Sequence, residues 1–329
     1  MSNIKRRDFI KSSVLTGAAL GLAPALSAKT LFSDVEAGKR IGVIGLDTSH
    51  SEVFTRMINT GGAEMKGYKV VAAYPHGSKD IPSAIEMKPR ITAAVQKLGV
   101  DLVDSIEALV DQVDYILLES NDGRPHLEQA LPVFRAGKKV FIDKPIAANY
   151  KGAKAIFEAA AQHKVATFSS SALRYDNNVR KVVDGSIGKV QGADVFAPGT
   201  LDPHHSDLAW YAIHAVEMLF TVMGPGCKTV QRTHHADTDV IVGTWEDGRI
   251  GTVRAIRKGA TNIAGTAFGE KGIAPLGPFS GYDPLVMEII NFFDGGKAPV
   301  TPAETLEIFA FIDAADRSKK KGGKLVKLG

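Results

Sequence analysis

Short apolar runs and amphipathic stretches alternate from residue 39 onward, the pattern of strands and helices taken in turn. Lys39 to Leu46 predicts a buried strand, followed by a polar turn and a helix from about Ser51. A second strand is expected near Tyr68 to Tyr74, then helices near Ile91 to Leu98 and Ser105 to Val110. The block from Asp114 to Pro145 carries the most information. It runs through apolar Tyr115-Ile116-Leu117-Leu118, then Glu119-Ser120-Asn121 and His126, a helical stretch ending in Ala136-Gly137-Lys138-Lys139, and finally Val140-Phe141-Ile142-Asp143-Lys144-Pro145. Two short apolar strands around one amphipathic helix make a βαβ unit. In an open parallel sheet, ligands bind at the carboxyl ends of such strands, so Asn121 and Lys144 are expected on one crevice. A helix from Tyr150 to His163 and a strand at Val165 to Ser169 complete a doubly wound, Rossmann-like half.

Beyond about Leu173 the pattern changes to strand-like runs at Val190 to Phe196, Thr229 to Thr233, Asp239 to Trp245 and Gly251 to Ile256. Glu246-Asp247-Gly248-Arg249 joins the last two as an antiparallel hairpin, because Asp-Gly readily adopts the backbone such turns need. One helix, about Leu208 to Met223, lies between the strands, and helices near Pro284 to Phe293 and Pro302 to Lys320 close the chain. The fold class is therefore α/β, a doubly wound parallel sheet followed by an α+β domain with an open, mostly antiparallel sheet. The expected divisions are residues 29–172 and 173–329.

Residues 1–28 are read apart from the fold. Lys5-Arg6-Arg7-Asp8-Phe9-Ile10-Lys11 precedes an uncharged Ala-, Gly- and Leu-rich stretch from Ser12 to Leu26, with small residues at Ala25 and Ala28. This is the layout of a signal peptide, and the paired arginines indicate the twin-arginine export machinery and a periplasmic destination. The 329 residues, 44% hydrophobic, suffice for a large core in two domains. The formal charge of +4 comes largely from the signal: without residues 1–28 the chain keeps 36 basic against 35 acidic groups. No basic stripe points to nucleic acid. The lone Cys227 rules out an intrachain disulfide and a cysteine-rich metal site.

Together these motifs resemble the glucose-fructose oxidoreductase, inositol dehydrogenase and rhizopine-catabolism (Gfo/Idh/MocA) family. The resemblance rests on the strand and glycine turn at Gly45, Asn121 with His126, Ala136-Gly137-Lys138-Lys139-Val140, Asp143-Lys144-Pro145, His214 on a second-domain helix, and the closing Pro299-Val300-Thr301-Pro302-Ala303-Glu304. It covers residues 39 to 329. It implies an NAD(P)-dependent oxidoreductase acting by hydride transfer on a sugar, sugar derivative or cyclitol, assembled as a homo-oligomer. It also implies that Lys144 sits between nicotinamide and substrate hydroxyl, with Pro145 beside it, and that His214 moves the hydroxyl proton.

Three departures from the family pattern bear on chemistry. The dinucleotide fingerprint Gly-x-Gly-x-x-Gly reads Gly45, Asp47 and His50, so only the first glycine remains and Asp47 brings a carboxylate near a phosphate. Thr48, Ser49 and His50 are left as donors, and a well-capped helix start is the plainer reading. After the second strand, His76-Gly77-Ser78-Lys79 replaces the acid that would hold a ribose 2′-hydroxyl. His76, Ser78 and Lys79 suit a 2′-phosphate, which favours NADP over NAD, with a solvated turn as the alternative. Finally, Trp210 stands where the acidic partner of His214 is expected, leaving Tyr211 or Glu217 to orient the imidazole. The degraded loop also leaves open that no nucleotide binds.

The expected catalytic set is thus Lys144, His214, Glu217 and Tyr211. The expected cofactor contacts are Gly45, Thr48, Ser49, His50, His76, Ser78, Lys79, Asn121, His126, Lys144 and Pro145. A rival grouping of His204 and His205 with His214 and Glu217, one helical turn apart, could bind a divalent cation, but its spacing does not assign one. Two other functions remain beside hydride transfer: a glycosidase or lyase that keeps its dinucleotide with no net redox change, and a non-catalytic carbohydrate-binding protein.

Overall fold

The computed structural model describes residues 35–329. The signal segment read from the sequence lies outside them. The first sheet holds β1 (Arg40–Ile44), β2 (Lys69–Tyr74), β3 (Asp101–Leu102), β4 (Tyr115–Leu118), β5 (Val140–Ile142) and β6 (Thr167–Phe168), in the order 3-2-1-4-5-6 and all parallel. Both faces are covered by helices, so the central strands are apolar throughout: Ile41, Val43, Ile44, Ile116, Leu117 and Leu118 are fully buried. The connecting helices are α1 (Ser49–Thr60), α2 (Pro82–Lys97), α3 (Ile106–Val110), α4 (His126–Arg135) and α5 (Tyr150–Gln162). Strand order reverses between β1 and β4, which opens a crevice at their carboxyl ends.

The second sheet follows α6 (Asn177–Val183) and comprises β7 (Val190–Pro198), β8 (Cys227–His235), β9 (Thr238–Trp245), β10 (Ile250–Ile256), β11 (Ala264–Gly269), β12 (Ile273–Leu276) and β13 (Val326–Lys327). Its order is 12-11-7-10-9-8-13, antiparallel except for the parallel pair β7 and β10. Burial alternates along β9 and β10, as expected of a sheet packed on one face. Helices α7 (Ile213–Met223) and α9 (Pro302–Lys320) cover that face through Leu219, Phe220 and Phe311.

The chain then crosses back. Helix α8 (Asp283–Phe293) buries Leu285, Val286, Ile289, Ile290, Phe292 and Phe293 against Phe54, Phe141 and Phe168 of the first sheet's layer. Residues 173–329 are therefore not self-contained, and α8 holds one wall of the crevice. The α7 helix begins five residues later than the apolar pattern suggested, because Leu208 to Ala212 form turns. The α2 helix extends well before Ile91, carrying Pro89 within it.

Candidate active site

The turn after β1 is tight. Gly45 has φ +87°, and a Cβ there would lie 2.6 Å from the Ser120 backbone. This close approach brings the β1 and β4 loops together. Asp47, at the second fingerprint position, is 1% exposed. Its Oδ2 accepts from the Ser78 amide at 2.5 Å and its Oδ1 from the Asn121 amide at 3.0 Å. One carboxylate thus bridges the loops after β2 and β4, across the path a diphosphate follows in this fold. Gly77 has room for no Cβ, because that atom would collide with the Asp47 carboxylate. Asn121 and Ser78 meet Asp47 through their backbone amides. Thr48 precedes α1 in an extended conformation and caps no amide with its side chain, while Ser49 is exposed.

On the far side of this bridge lies an open cavity of about 650 Å³, lined by His76, Ser78, Lys79, Lys88, Asp104 and Gln129 among others. Lys88 Nζ lies 2.9 Å from His76 Nδ1. His126, expected to face the cofactor, does not: it is fully buried, and its ring nitrogens reach the carbonyls of Ile146 (3.0 Å) and Ser120 (2.8 Å). It ties the β4 and β5 loops together from behind.

On the near side, Lys144 follows β5 and joins Pro145 through a cis peptide bond. Lys144 is 9% and His214 8% exposed. His214 Nδ1 lies 2.7 Å from Ser171 Oγ, and the Tyr211 ring packs edge-on against the imidazole at 5.4 Å. Burial, with the charges of Lys144 and His50, pushes the His214 pKa well down, so the imidazole is neutral at pH 7. Its orienting group is therefore Ser171, which the sequence does not single out. Glu217 points elsewhere: it accepts from the Ser171 amide at 2.9 Å and lies 3.7 Å from Arg174 Nε. Glu217 acts on His214 only through Ser171. Trp210 has moved off as well, and its ring packs 4.8 Å from His205.

His50, at the third fingerprint position, faces Asp143: Nδ1 lies 2.7 Å from Oδ2, while Nε2 is 3.2 Å from the Tyr282 hydroxyl. The imidazole stacks on Phe54 at 5.1 Å. Burial raises the Asp143 pKa, but His50 and Lys144 outweigh it and bring the pKa to about 2. The histidine loop forms a separate latch. His205 Nδ1 donates to Asp202 at 2.8 Å, the Gly123 amide donates to its Nε2 at 3.2 Å, and Arg124 pairs with both Asp122 and Asp80. His204 lies 3.9 Å from Asp80. His204 and His205 therefore do not converge with His214 and Glu217.

Residues that would hold a nicotinamide dinucleotide lie on both sides of the Asp47 bridge. An adenosine end would lie against the 650 Å³ cavity, whose lining includes the cationic side chains of Lys79 and Lys88. Beside it, Asp47 accepts from the Ser78 and Asn121 amides and stands where the fingerprint has its second glycine.

Residues 39–170 match the model of the GFO_IDH_MocA oxidoreductase family, NAD-binding Rossmann fold. No curated protein matches the chain. Among solved structures, a probable dehydrogenase from Thermotoga maritima is 21% identical, with 88% of this chain and 98% of that one covered, at a TM-score of 0.69. Scyllo-inositol dehydrogenase from Lactobacillus casei, solved with NAD(H) and scyllo-inositol, is 17% identical over 88% and 98%, at 0.69. Myo-inositol 2-dehydrogenase from Lactobacillus plantarum is 19% identical over 88% and 99%, at 0.72. The chain shares the fold of these dehydrogenases.

Proposed function

We propose that the protein is an exported NAD(P)-dependent oxidoreductase acting at a hydroxyl-bearing carbon of a sugar, sugar derivative or cyclitol, with NADP preferred. The observation that carries this reading is Lys144 and a neutral His214 buried together at the crevice wall. Lys144 donates a hydrogen bond to the reacting oxygen and favours its alkoxide character. Ser171 serves either tautomer of His214. With Nδ1–H donating to Ser171 Oγ, Nε2 presents the lone pair that a general base needs. Tyr211, 39% exposed at the imidazole edge, is placed to meet the substrate. A bound nicotinamide would supply the hydride acceptor. The His76 to Lys79 turn and Lys88 would hold the adenosine end, and the inositol dehydrogenases of the same fold suggest a polyhydroxylated substrate.

Asp47 favours a second reading, a catalyst without free nucleotide exchange or a carbohydrate-binding protein. Calorimetric titration of NAD and NADP into the mature protein and its Asp47→Gly variant separates the two. We expect tighter NADP than NAD, and at least about tenfold tighter binding of both to the variant, the equivalent of one hydrogen bond to a charged group. Lys144→Ala should lower turnover by about 100-fold or more with little change in Tm. Binding of neither nucleotide to either protein, with none co-purifying, removes the oxidoreductase reading.

A further inference from the structure

Glu119 has no evident place in the chemistry above. It follows β4 directly, is fully buried, and neither of its carboxyl oxygens has a hydrogen-bond partner among the described residues. Asp143 Oδ1 is likewise buried and unpartnered. Folded proteins seldom leave such atoms orphaned, since each costs about 1–3 kcal/mol when buried without a partner. His50 completes the group. Donor atoms of His50, Glu119 and Asp143 all lie within 4.8 Å of one another.

We propose that His50, Glu119 and Asp143 bind one divalent first-row metal ion at the floor of the crevice. Each residue comes from a different loop at the point where strand order reverses: His50 from the first turn of α1, Glu119 from the end of β4, Asp143 from the end of β5. One imidazole and two carboxylates form a mixed nitrogen and oxygen donor set, which suits Zn²⁺, Mn²⁺ or Fe²⁺ rather than Ca²⁺ with its all-oxygen shell. Three protein ligands leave coordination positions open, as in catalytic rather than structural sites. The outer partner of a ligating histidine is also present. With Nδ1 turned to the ion, Nε2–H donates to the Tyr282 hydroxyl at 3.2 Å and holds the ring. Ligation replaces the hydrogen bond between His50 Nδ1 and Asp143 and supplies a partner to the orphaned oxygens of Glu119 and Asp143. Two carboxylates balance the ion's charge, and Lys144, 4.0 Å from Asp143 Oδ2, remains available to substrate. The site needs no nucleotide and stands whether or not the dehydrogenase reading holds.

Mature protein stripped with a chelator is titrated with Zn²⁺ and with Mn²⁺ by calorimetry, and its metal content is measured after gel filtration. We expect one ion per chain. Glu119→Gln and Asp143→Asn should each weaken binding by at least about 100-fold, beyond the 10–100-fold that loss of an outer partner costs. As a measurement that needs no variant, Co²⁺-loaded wild type should show the visible absorption of a low-coordinate nitrogen and oxygen site. Absence of stoichiometric binding, binding that survives both substitutions, or a Co²⁺ spectrum like that of the aqueous ion would overturn the proposal.

Discussion

Three buried carboxyl groups near the crevice titrate in different directions, and the neighbours of each decide which. Glu119, with Asp143 nearby, is driven well up by burial and by that second carboxylate, despite Lys144. Asp143 is brought down to about 2 because His50 and Lys144 outweigh its burial. Glu217 is raised to about 7, since burial outweighs Arg174 and the Ser171 amide. The last shift has a measurable consequence. An unfolded glutamate ionises near 4.5, so the folded chain binds the extra proton between that pH and about 7. Glu217 therefore favours the fold fully below the unfolded value, and that contribution is lost as pH rises through about 7, on the order of 3 kcal/mol across the window. Glu217→Gln keeps an acceptor for the Ser171 amide and removes the charge. Its Tm should exceed that of wild type at pH 8, by the equivalent of about 1–3 kcal/mol, and match it at about pH 4. An equal difference at both pH values, read by calorimetry, would exclude this account.

Among the elements, the turn between β1 and α1 does most to shape the site. Gly45 combines φ +87° with a Ser120 backbone too close for any side chain, whereas Gly248 in the β9–β10 hairpin has φ +85° with open space around it. The two glycines share their conformational demand and differ only in crowding. Gly248→Ala should therefore cost about 1 kcal/mol, and Gly45→Ala clearly more, about 3 kcal/mol, because the β1 and β4 loops must also separate. Urea unfolding of both variants measures the difference; equal losses would show that the close approach of the loops carries no energy. Displacing Ser120 would also shift the neighbouring Glu119 and Asn121, so nucleotide and metal binding should weaken together in Gly45→Ala.

At the scale of the whole molecule, α8 and the histidine loop hold the crevice closed from two sides. The Tyr282 hydroxyl reaches His50 from the start of α8, and His205 reaches Gly123 and Asp122 from the second domain. Such a site exists only in the folded chain, which suits the export of a folded protein that Arg6 and Arg7 suggest. Replacing both arginines by lysine should leave full-length precursor in the cytoplasm, followed by fractionation and immunoblotting. Undiminished periplasmic yield would refute twin-arginine export.

Periodicity in the sequence determines most of the first sheet, because strands buried on both faces must be apolar throughout: β1, β2, β4 and β5 stand where their runs are. The same pattern marks α7, α8 and α9, whose apolar faces cover the sheets. It misses β3, which is too short to carry a period, and the first half of α2, where Pro89 and polar residues mask the helix. It also misses β11 and β12, whose partly exposed residues lack the alternation of a half-buried strand. Lys144 is legible because it follows a recognisable strand, and His214 through the family resemblance that marks it on a recognisable helix. Ser171 on His214, His50 on Asp143 and Asp47 on two distant amides are not, for these contacts join segments 31 to 93 residues apart. The tertiary structure alone decides them, since residue patterns record how deeply each segment is buried, and only the converged loops determine which side chains meet there.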